Sequence, residues 1–308
     1  MNNILPTYPR SDLTFTHGKG SYLFEKSGEK YLDFGTGIAV NSLGYSHPYL
    51  NQKLNEQSEK LWHLSNVYKI PEQEILASRL CDLCFADYAF FCNSGTEAVE
   101  ASIKIARRYF YKTKNSKTKN EIISFSGSFH GRTIGALAAQ GPEKMNSFNT
   151  NVNDFKFLEF GDHELLKSSI SENTAAVIIE PIQGEGGVRE VPTFCLDAIR
   201  KLCDENDVLL IFDEVQCGMG RTGKMFAYQW SNIEPDIMSI AKAIGNGFPI
   251  GACLTSKKVG DAMDFGSHGS TFGGNPLACS VGNAVLDLMT SPSFFNEVIG
   301  VSKKLLSD

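Results

Sequence analysis

The chain has 308 residues, of which 42% are hydrophobic and 21% charged, with a net charge of −6 and a pI near 5.6. This is the composition of an ordinary globular chain with one large and one smaller domain, and its acidic balance speaks against nucleic acid or an anionic membrane as a partner. No apolar run approaches the roughly 18–20 residues that a membrane helix needs, and the N-terminus lacks the basic-then-apolar pattern of a signal peptide.

Taken in chain order, residues 20–34 alternate on either side of Ser27-Gly-Glu-Lys, which predicts a β-hairpin. Glycines punctuate 35–44 as a loop, and Pro48 opens a helix running to about residue 60. A second amphipathic helix covers 71–85, with Pro71 near its first turn. YAFFC (88–92) reads as a strand and NSGT (93–96) as a turn. A helix then covers 97–112, with Val99, Ile103, Ala106 and Phe110 at helical spacing. Such a strand, turn and helix offer backbone N–H groups and a helix dipole to a phosphate, although the same pattern also serves as a plain N-cap. Lys112 to Lys119 reads as a solvated basic loop.

EIISF (121–125) is the next strand, followed by the loop SGSFHGRT (126–133). Within it, the fork of Arg132 suits a carboxylate and the ring of Phe129 suits one face of a planar cofactor, while a turn with an exposed arginine is an equal reading. His130 reads as a hydrogen-bonding residue rather than an acid or base. A strand over 175–180 closes on Glu180, a polar loop carries Glu185, and a helix over 193–206 starts with Thr193 as its cap. After a strand over 250–255 come a glycine-rich loop (269–276) and helices over 277–289 and 293–307, separated by Ser291-Pro292.

Eight cysteines lie scattered, several in apolar segments (Cys92, Cys253, Cys279), which fits buried free thiols in a reducing cytoplasm. Cys81 and Cys84 have CxxC spacing, but they share a helical pattern with Ile75, Leu76, Leu80 and Leu83 and have no second pair. Core thiols are the reading there, and no metal is expected.

Two stretches carry the chemistry. VLLIF (208–212) reads as a strand buried on both faces and ends at Asp213 and Glu214. Ligands of open α/β sheets bind beyond the carboxyl ends of strands, although an isolated acidic pair there is ordinarily a solvated strand end. IMSIAK (237–242) places a lone lysine, Lys242, at the end of another short apolar strand. A buried lysine needs a partner or a lowered pKa, as imine-forming lysines have. An acid and a lysine at two strand ends point to pyridoxal phosphate, which needs an imine-forming lysine and an acid beside its pyridinium nitrogen. Strands and helices alternate through the middle of the chain, which predicts a mostly parallel sheet wrapped by helices.

Seven motifs in order extend this reading: GIAVNSLG (37–44), NSGTEA (93–98), FHGRT (129–133), IEPIQGEGG (179–187), IFDEVQCGMGRTG (211–223), SIAKAIGNGFPIGA (239–252) and STFGGNPLAC (270–279). From Tyr8 to Cys279 the chain resembles the class III aminotransferases of pyridoxal-phosphate fold type I. The resemblance implies an α/β fold with a mostly parallel seven-stranded sheet and helices on both faces. A large cofactor-binding domain would span 48–275, and a small α+β domain would take 1–47 and begin again at 276–308. Relatives continue past the point where this chain stops, so an incomplete small domain is expected, and with it weak binding of the 2-oxoglutarate γ-carboxylate.

The same resemblance implies roles. Lys242 forms the imine with the cofactor and relays the substrate proton, and Asp213 keeps the pyridine nitrogen protonated. Gln216 bonds the phenolic oxygen, Phe129 stacks on the ring, and Ser94, Gly95 and Thr96 hold the phosphate. Thr271 reaches the phosphate of a neighbouring subunit, which makes a homodimer the active unit. Arg132 binds the substrate α-carboxylate, Glu180 sits near the cofactor, and Glu185 masks a second arginine when the donor lacks a distal carboxylate. Ile38, in place of a tyrosine that meets a free α-amino group, favours an acylated donor. The expected reaction moves the δ-amino group of N2-acetylornithine to 2-oxoglutarate, a step of arginine biosynthesis. Succinylornithine, ornithine and 4-aminobutyrate remain alternative donors, as does a chain that holds the cofactor without turnover. Gln216 speaks against the aminomutase branch, and the lack of a GxGxxG after an early strand speaks against a nicotinamide-binding domain.

Overall fold

Strand β10 (Leu209–Asp213) is buried along its whole length and lies in the middle of a seven-stranded sheet. A computed structural model describes residues 3–150, 152–231 and 233–307; residues 1, 2 and 308, at the ends of the expected terminal segments, lie outside it. An N-terminal antiparallel sheet holds β1 (Phe15–Lys19), β2 (Tyr22–Glu25) and β3 (Lys30–Leu32). The predicted hairpin is β2–β3, and β1 adds a strand whose exposed residues carry little alternation.

The main sheet contains β4 (Tyr88–Cys92), β5 (Glu121–Phe125), β6 (Phe155–Leu158), β7 (Thr174–Ile179), β10, β11 (Ile237–Ile240) and β12 (Gly251–Thr255). The ribbon of β8 (Ile182–Gln183) and β9 (Arg189–Glu190) stands apart from it. The sheet order is β4-β12-β11-β10-β7-β5-β6. All neighbours from β11 to β6 run parallel, while β12 is antiparallel to both β11 and β4. Successive side chains of a strand point to opposite faces, so both faces need cover. Leu210 and Phe212 pack into one apolar cluster with Leu76, Leu80, Leu196, Val285 and Leu286 from flanking helices. Leu209 and Ile211 pack into the other, with Val99, Ile103, Ala106 and Phe110. Each such side chain removed from water contributes about 1.5–3 kcal/mol.

The helices differ from expectation mainly at their ends. The first two run Pro48–Ser58 and Pro71–Asp82. The third starts earlier than predicted, at Gly95, and runs to Thr113. Thr193 is the first helical residue of Thr193–Glu205 rather than its cap; Pro192 holds the cap position, and no side chain bonds there. The short elements β6 and the helix His163–Ser169 give no clear sequence signal. Among the described residues no helix is long and apolar enough to cross a membrane, and no cluster of three or more His, Cys, Asp or Glu is placed to hold a metal ion. Cys92, Cys253 and Cys279 are buried free thiols, as expected.

Candidate active site

The parallel strands deliver their C-terminal ends to one edge of the sheet, where a cavity of about 380 Å³ opens. β4 leads into Asn93–Thr96, β5 into the loop with Phe129, His130 and Arg132, β7 into Glu180, β10 into Asp213, and β11 into Lys242. Ser94, Gly95, Thr96, Phe129, Arg132, Glu185, Asp213, Gln216 and Lys242 all line this one cavity. Thr271 does not; it is exposed on a neighbouring surface loop beside Phe272. Ile38 is also outside the lining and 66% exposed, while Val40, two residues on, is a wall residue.

The acidic pair at the end of β10 divides its work. Asp213 is 2% exposed and accepts from Val215 N–H at 3.0 Å, with its other oxygen 2.7 Å from His130 Nδ1. A carboxylate has no hydrogen to give, so the imidazole Nδ1–H is the donor. Burial disfavours the imidazolium, but the hydrogen bond and charge of Asp213, backed by Glu180, outweigh it and hold the His130 pKa above its ordinary value. Glu214 points elsewhere. It accepts the N–H groups of Ala227 at 2.6 Å and Tyr228 at 2.7 Å, pinning the 3-10 turn Ala227–Trp230. Burial pushes it up to about 7, against the lowering effect of those two N–H groups.

Glu180 is buried and takes Phe129 N–H at 2.9 Å, which fixes the backbone beneath the Phe129 ring. Burial, and then the charge of Asp213, push it up to about 7. Lys242 does not end its strand in extended geometry. β11 stops at Ile240, and Lys242 opens a 3-10 turn at a left-handed φ of 51°. Backbone strain of this kind survives where the surroundings over-determine it. Burial pushes the Lys242 ammonium below its ordinary value, while Asp213, Glu185 and Glu180 oppose the shift.

At another part of the cavity the helix Gly95–Thr113 presents its N-terminus. Glu97 turns back to take Asn93 N–H at 2.6 Å and the Ser94 hydroxyl at 3.1 Å. The first intrahelical bond is donated by Ala98 to the Ser94 carbonyl, so the Gly95 and Thr96 N–H groups have no helical acceptor. A Cβ on Gly95 would lie 2.6 Å from Val215 Cγ1, so only glycine lets this backbone approach the cavity floor. Thr96 Oγ1 is 3.0 Å from Thr133 Oγ1 and accepts Arg132 N–H at 3.2 Å, tying the two loops together. Arg132 is exposed, with its guanidinium 5.4 Å from the Phe129 ring centroid. Gln216 Nε2 donates to Glu185 at 3.3 Å, and among the described residues Glu185 forms no ion pair with an arginine.

These groups fit pyridoxal phosphate. Free N–H groups and a helix dipole suit a phosphate, a phenyl wall suits a planar ring, and a buried acid backed by an imidazole suits a cationic ring nitrogen. Sequence reasoning undervalued His130, Glu180 and Val215. Their only linear signals are adjacency to Phe129, a strand end and the acidic pair, and burial is a property of the fold.

Comparison with known proteins agrees. Residues 7–308 match the class-III aminotransferase family. The chain is 52% identical over 300 residues to the acetylornithine aminotransferase of Agrobacterium fabrum, covering 97% of this chain and 75% of that protein. The crystal structure of the N-acetylornithine aminotransferase of Stenotrophomonas maltophilia superposes with a TM-score of 0.83 at 38% identity, covering 97% of this chain and 74% of that one. An ornithine aminotransferase structure from Toxoplasma gondii, described as having partial occupancy of PLP at its active site, gives 0.88 at 31% identity, covering 92% and 68%. With family, relatives and cavity in agreement, this chain belongs to the class-III aminotransferases, which use pyridoxal phosphate.

Proposed function

We propose that the chain moves the δ-amino group of N2-acetylornithine to 2-oxoglutarate, giving N-acetylglutamate semialdehyde and glutamate. The convergence of Lys242, the His130-backed Asp213 and an open helix N-terminus on one cavity carries the reading. Ser94, Gly95 and Thr96 would hold the phosphate, Phe129 one ring face, Gln216 the phenolic oxygen, and Asp213 the ring nitrogen. When bound, the cofactor supplies an electron sink for the substrate carbon from which a proton leaves.

The chain's own groups do the rest. Arg132, exposed at the mouth, would orient the donor through its carboxylate by a two-pronged hydrogen bond. Lys242 Nζ, whose burial favours the neutral amine, would take the proton from the donor δ-carbon and hold it for return. Asp213, oriented by His130, would hold positive charge at the ring nitrogen. Glu185, at hydrogen-bonding distance from Gln216, would adjust the pocket between donor and acceptor.

Thr271 and the exposed Phe272 favour a homodimer in which Thr271 completes a neighbouring subunit's phosphate site. Eight free cysteines suit a cytoplasmic location. The test is the visible spectrum of the protein given pyridoxal phosphate, before and after N2-acetylornithine. A lysine-dependent band that K242A abolishes, and that N2-acetylornithine bleaches far more than ornithine, is expected. A band that ignores N2-acetylornithine overturns the donor assignment.

A further inference from the structure

Segment 36–44 reaches the cavity through Val40, and its backbone is strained. Thr36, Gly37, Ile38 and Ala39 have φ of 47°, 68°, 65° and 61°, a left-handed turn with side chains at three of its four positions. Val40 N–H, Asn41 N–H and Asn41 Nδ2 all donate to the Thr36 carbonyl, at 3.0, 2.9 and 3.2 Å, and Ser42 N–H and Gly44 N–H donate to the Val40 and Asn41 carbonyls. Bonds within the segment do not fix it against the turn that carries Lys242.

Its end is held by the Gly20–Tyr45 bridge, and its cavity side is held from the turn that carries Lys242. Asn246 Oδ1 accepts Leu43 N–H at 2.8 Å, and Asn246 Nδ2 donates to the Gly44 carbonyl at 3.0 Å. One amide therefore satisfies a backbone donor and a backbone acceptor some 200 residues away in sequence. Asn246 reaches them from a left-handed φ of 43°, which asparagine tolerates better than most residues. At the next residue, Gly247, a Cβ would lie 2.9 Å from Asn41 Oδ1, so the Asn41 side chain lies close against the Gly247 backbone. Arg221 Nη2 adds a bond to Ser42 Oγ at 3.0 Å.

We propose that Asn246 is a positioning residue for the amino donor, strapping segment 40–44 to the Lys242 turn so that Val40 stands as a fixed wall of the cavity. The inference rests on the reading of that cavity as the amino-donor site. Val40 joins Phe248 and Pro249 in the lining, a neutral apolar surface that suits the acylated end of a donor and offers nothing to a free ammonium. A loose strap would cost the donor the ordering of this wall at each binding event.

Asn246→Gly tests it, because glycine accepts the left-handed φ and only the two side-chain hydrogen bonds are lost. The KM for N2-acetylornithine is expected to rise about five- to tenfold, the size two neutral hydrogen bonds carry. The kcat is expected to stay within about twofold, the mark of lost uniform binding, and the cofactor's absorbance band to keep its intensity. Amide exchange of 40–44 in the holoenzyme should accelerate about tenfold while β10 is unchanged. Asn246→Asp, which keeps the acceptor for Leu43, should fall between the two. Unchanged exchange at 40–44 overturns the strap, and faster exchange with an unchanged KM overturns its role for the donor. Loss of the cofactor band together with a lower Tm also overturns the proposal, since that marks a merely structural residue. A wild-type protein inert to N2-acetylornithine would instead sink the donor assignment, and the exchange measurement would still decide the strap.

Discussion

His130 Nδ1 lies 2.7 Å from Asp213 Oδ2, with both side chains buried. The second ring nitrogen, Nε2, is buried without a hydrogen-bond partner among the described residues. The imidazole is thus committed to Asp213 alone, and it orients the one carboxylate at the end of β10 that faces the cavity. His130→Ala should lower kcat/KM by about 10- to 100-fold, the worth of a hydrogen bond to a buried charge. His130→Gln, which keeps a donor, should recover part of it. Steady-state kinetics across pH would check this; an unchanged profile in both variants would remove His130 from the mechanism.

Glu180 makes a linked prediction about pH. Its pKa is raised from the ordinary 4.5 to about 7 in the folded chain, first by burial and then by Asp213. A raised folded pKa means that the native state binds more protons than the unfolded state between those two values. The resulting stability is fully present below about 4.5 and is lost as pH rises through about 7. Its full size is on the order of 3 kcal/mol. Glu180→Gln keeps an acceptor for Phe129 N–H and should flatten the decline. Tm of the cofactor-free protein from pH 5 to 8 is the measurement, and parallel curves for the two proteins would contradict it.

Gly95 faces the side chain of Val215, with no room for a methyl group. Gly95→Ala should push the helix N-terminus or Val215 aside, costing about 1–3 kcal/mol in stability. Affinity for pyridoxal phosphate should fall about tenfold or more. Titration of the variant with the cofactor, followed by absorbance, reads this directly. Gly95→Ala in combination with Val215→Ala should restore affinity, because the clash is with that side chain.

Arg132 sits 5.4 Å from the Phe129 ring centroid, and its guanidinium enters no ion pair among the described residues. Arg132→Gln should raise the KM for the donor by about 10- to 100-fold, with a smaller effect on kcat. Arg132→Lys should rescue little, since a point charge does not reproduce a two-pronged fork. Recovery of wild-type KM by lysine would show that only charge is needed.

How much of this was legible beforehand depends on the range of the physics. VLLIF, YAFFC and EIISF announce strands because burial on two faces demands unbroken apolar runs, and β10, β4 and β5 formed within a residue of expectation. The helix Gly95–Thr113 buries Val99, Ile103, Ala106 and Phe110, the stripe its 3.6-residue period predicts. Asp213 and Lys242 were visible because a charge that ends an apolar strand is costly without a task. β6 and the short helix after it stayed illegible, since an edge strand of three partly buried residues and one buried one needs no strong pattern.

The sequence by itself thus determined the layered fold, the lysine and the acid, because hydrophobic period and strand-end charges are local properties. Tertiary structure shows what separates the two acids at the end of β10: Asp213 faces the cavity, while Glu214 turns away to Ala227 and Tyr228. It alone paired His130 with Asp213 across 83 residues and Asn246 with Leu43 across 203. The reason is physical: a hydrogen bond forms only where the sheet order and the crossing loops bring two polar groups within about 3 Å, away from competing water.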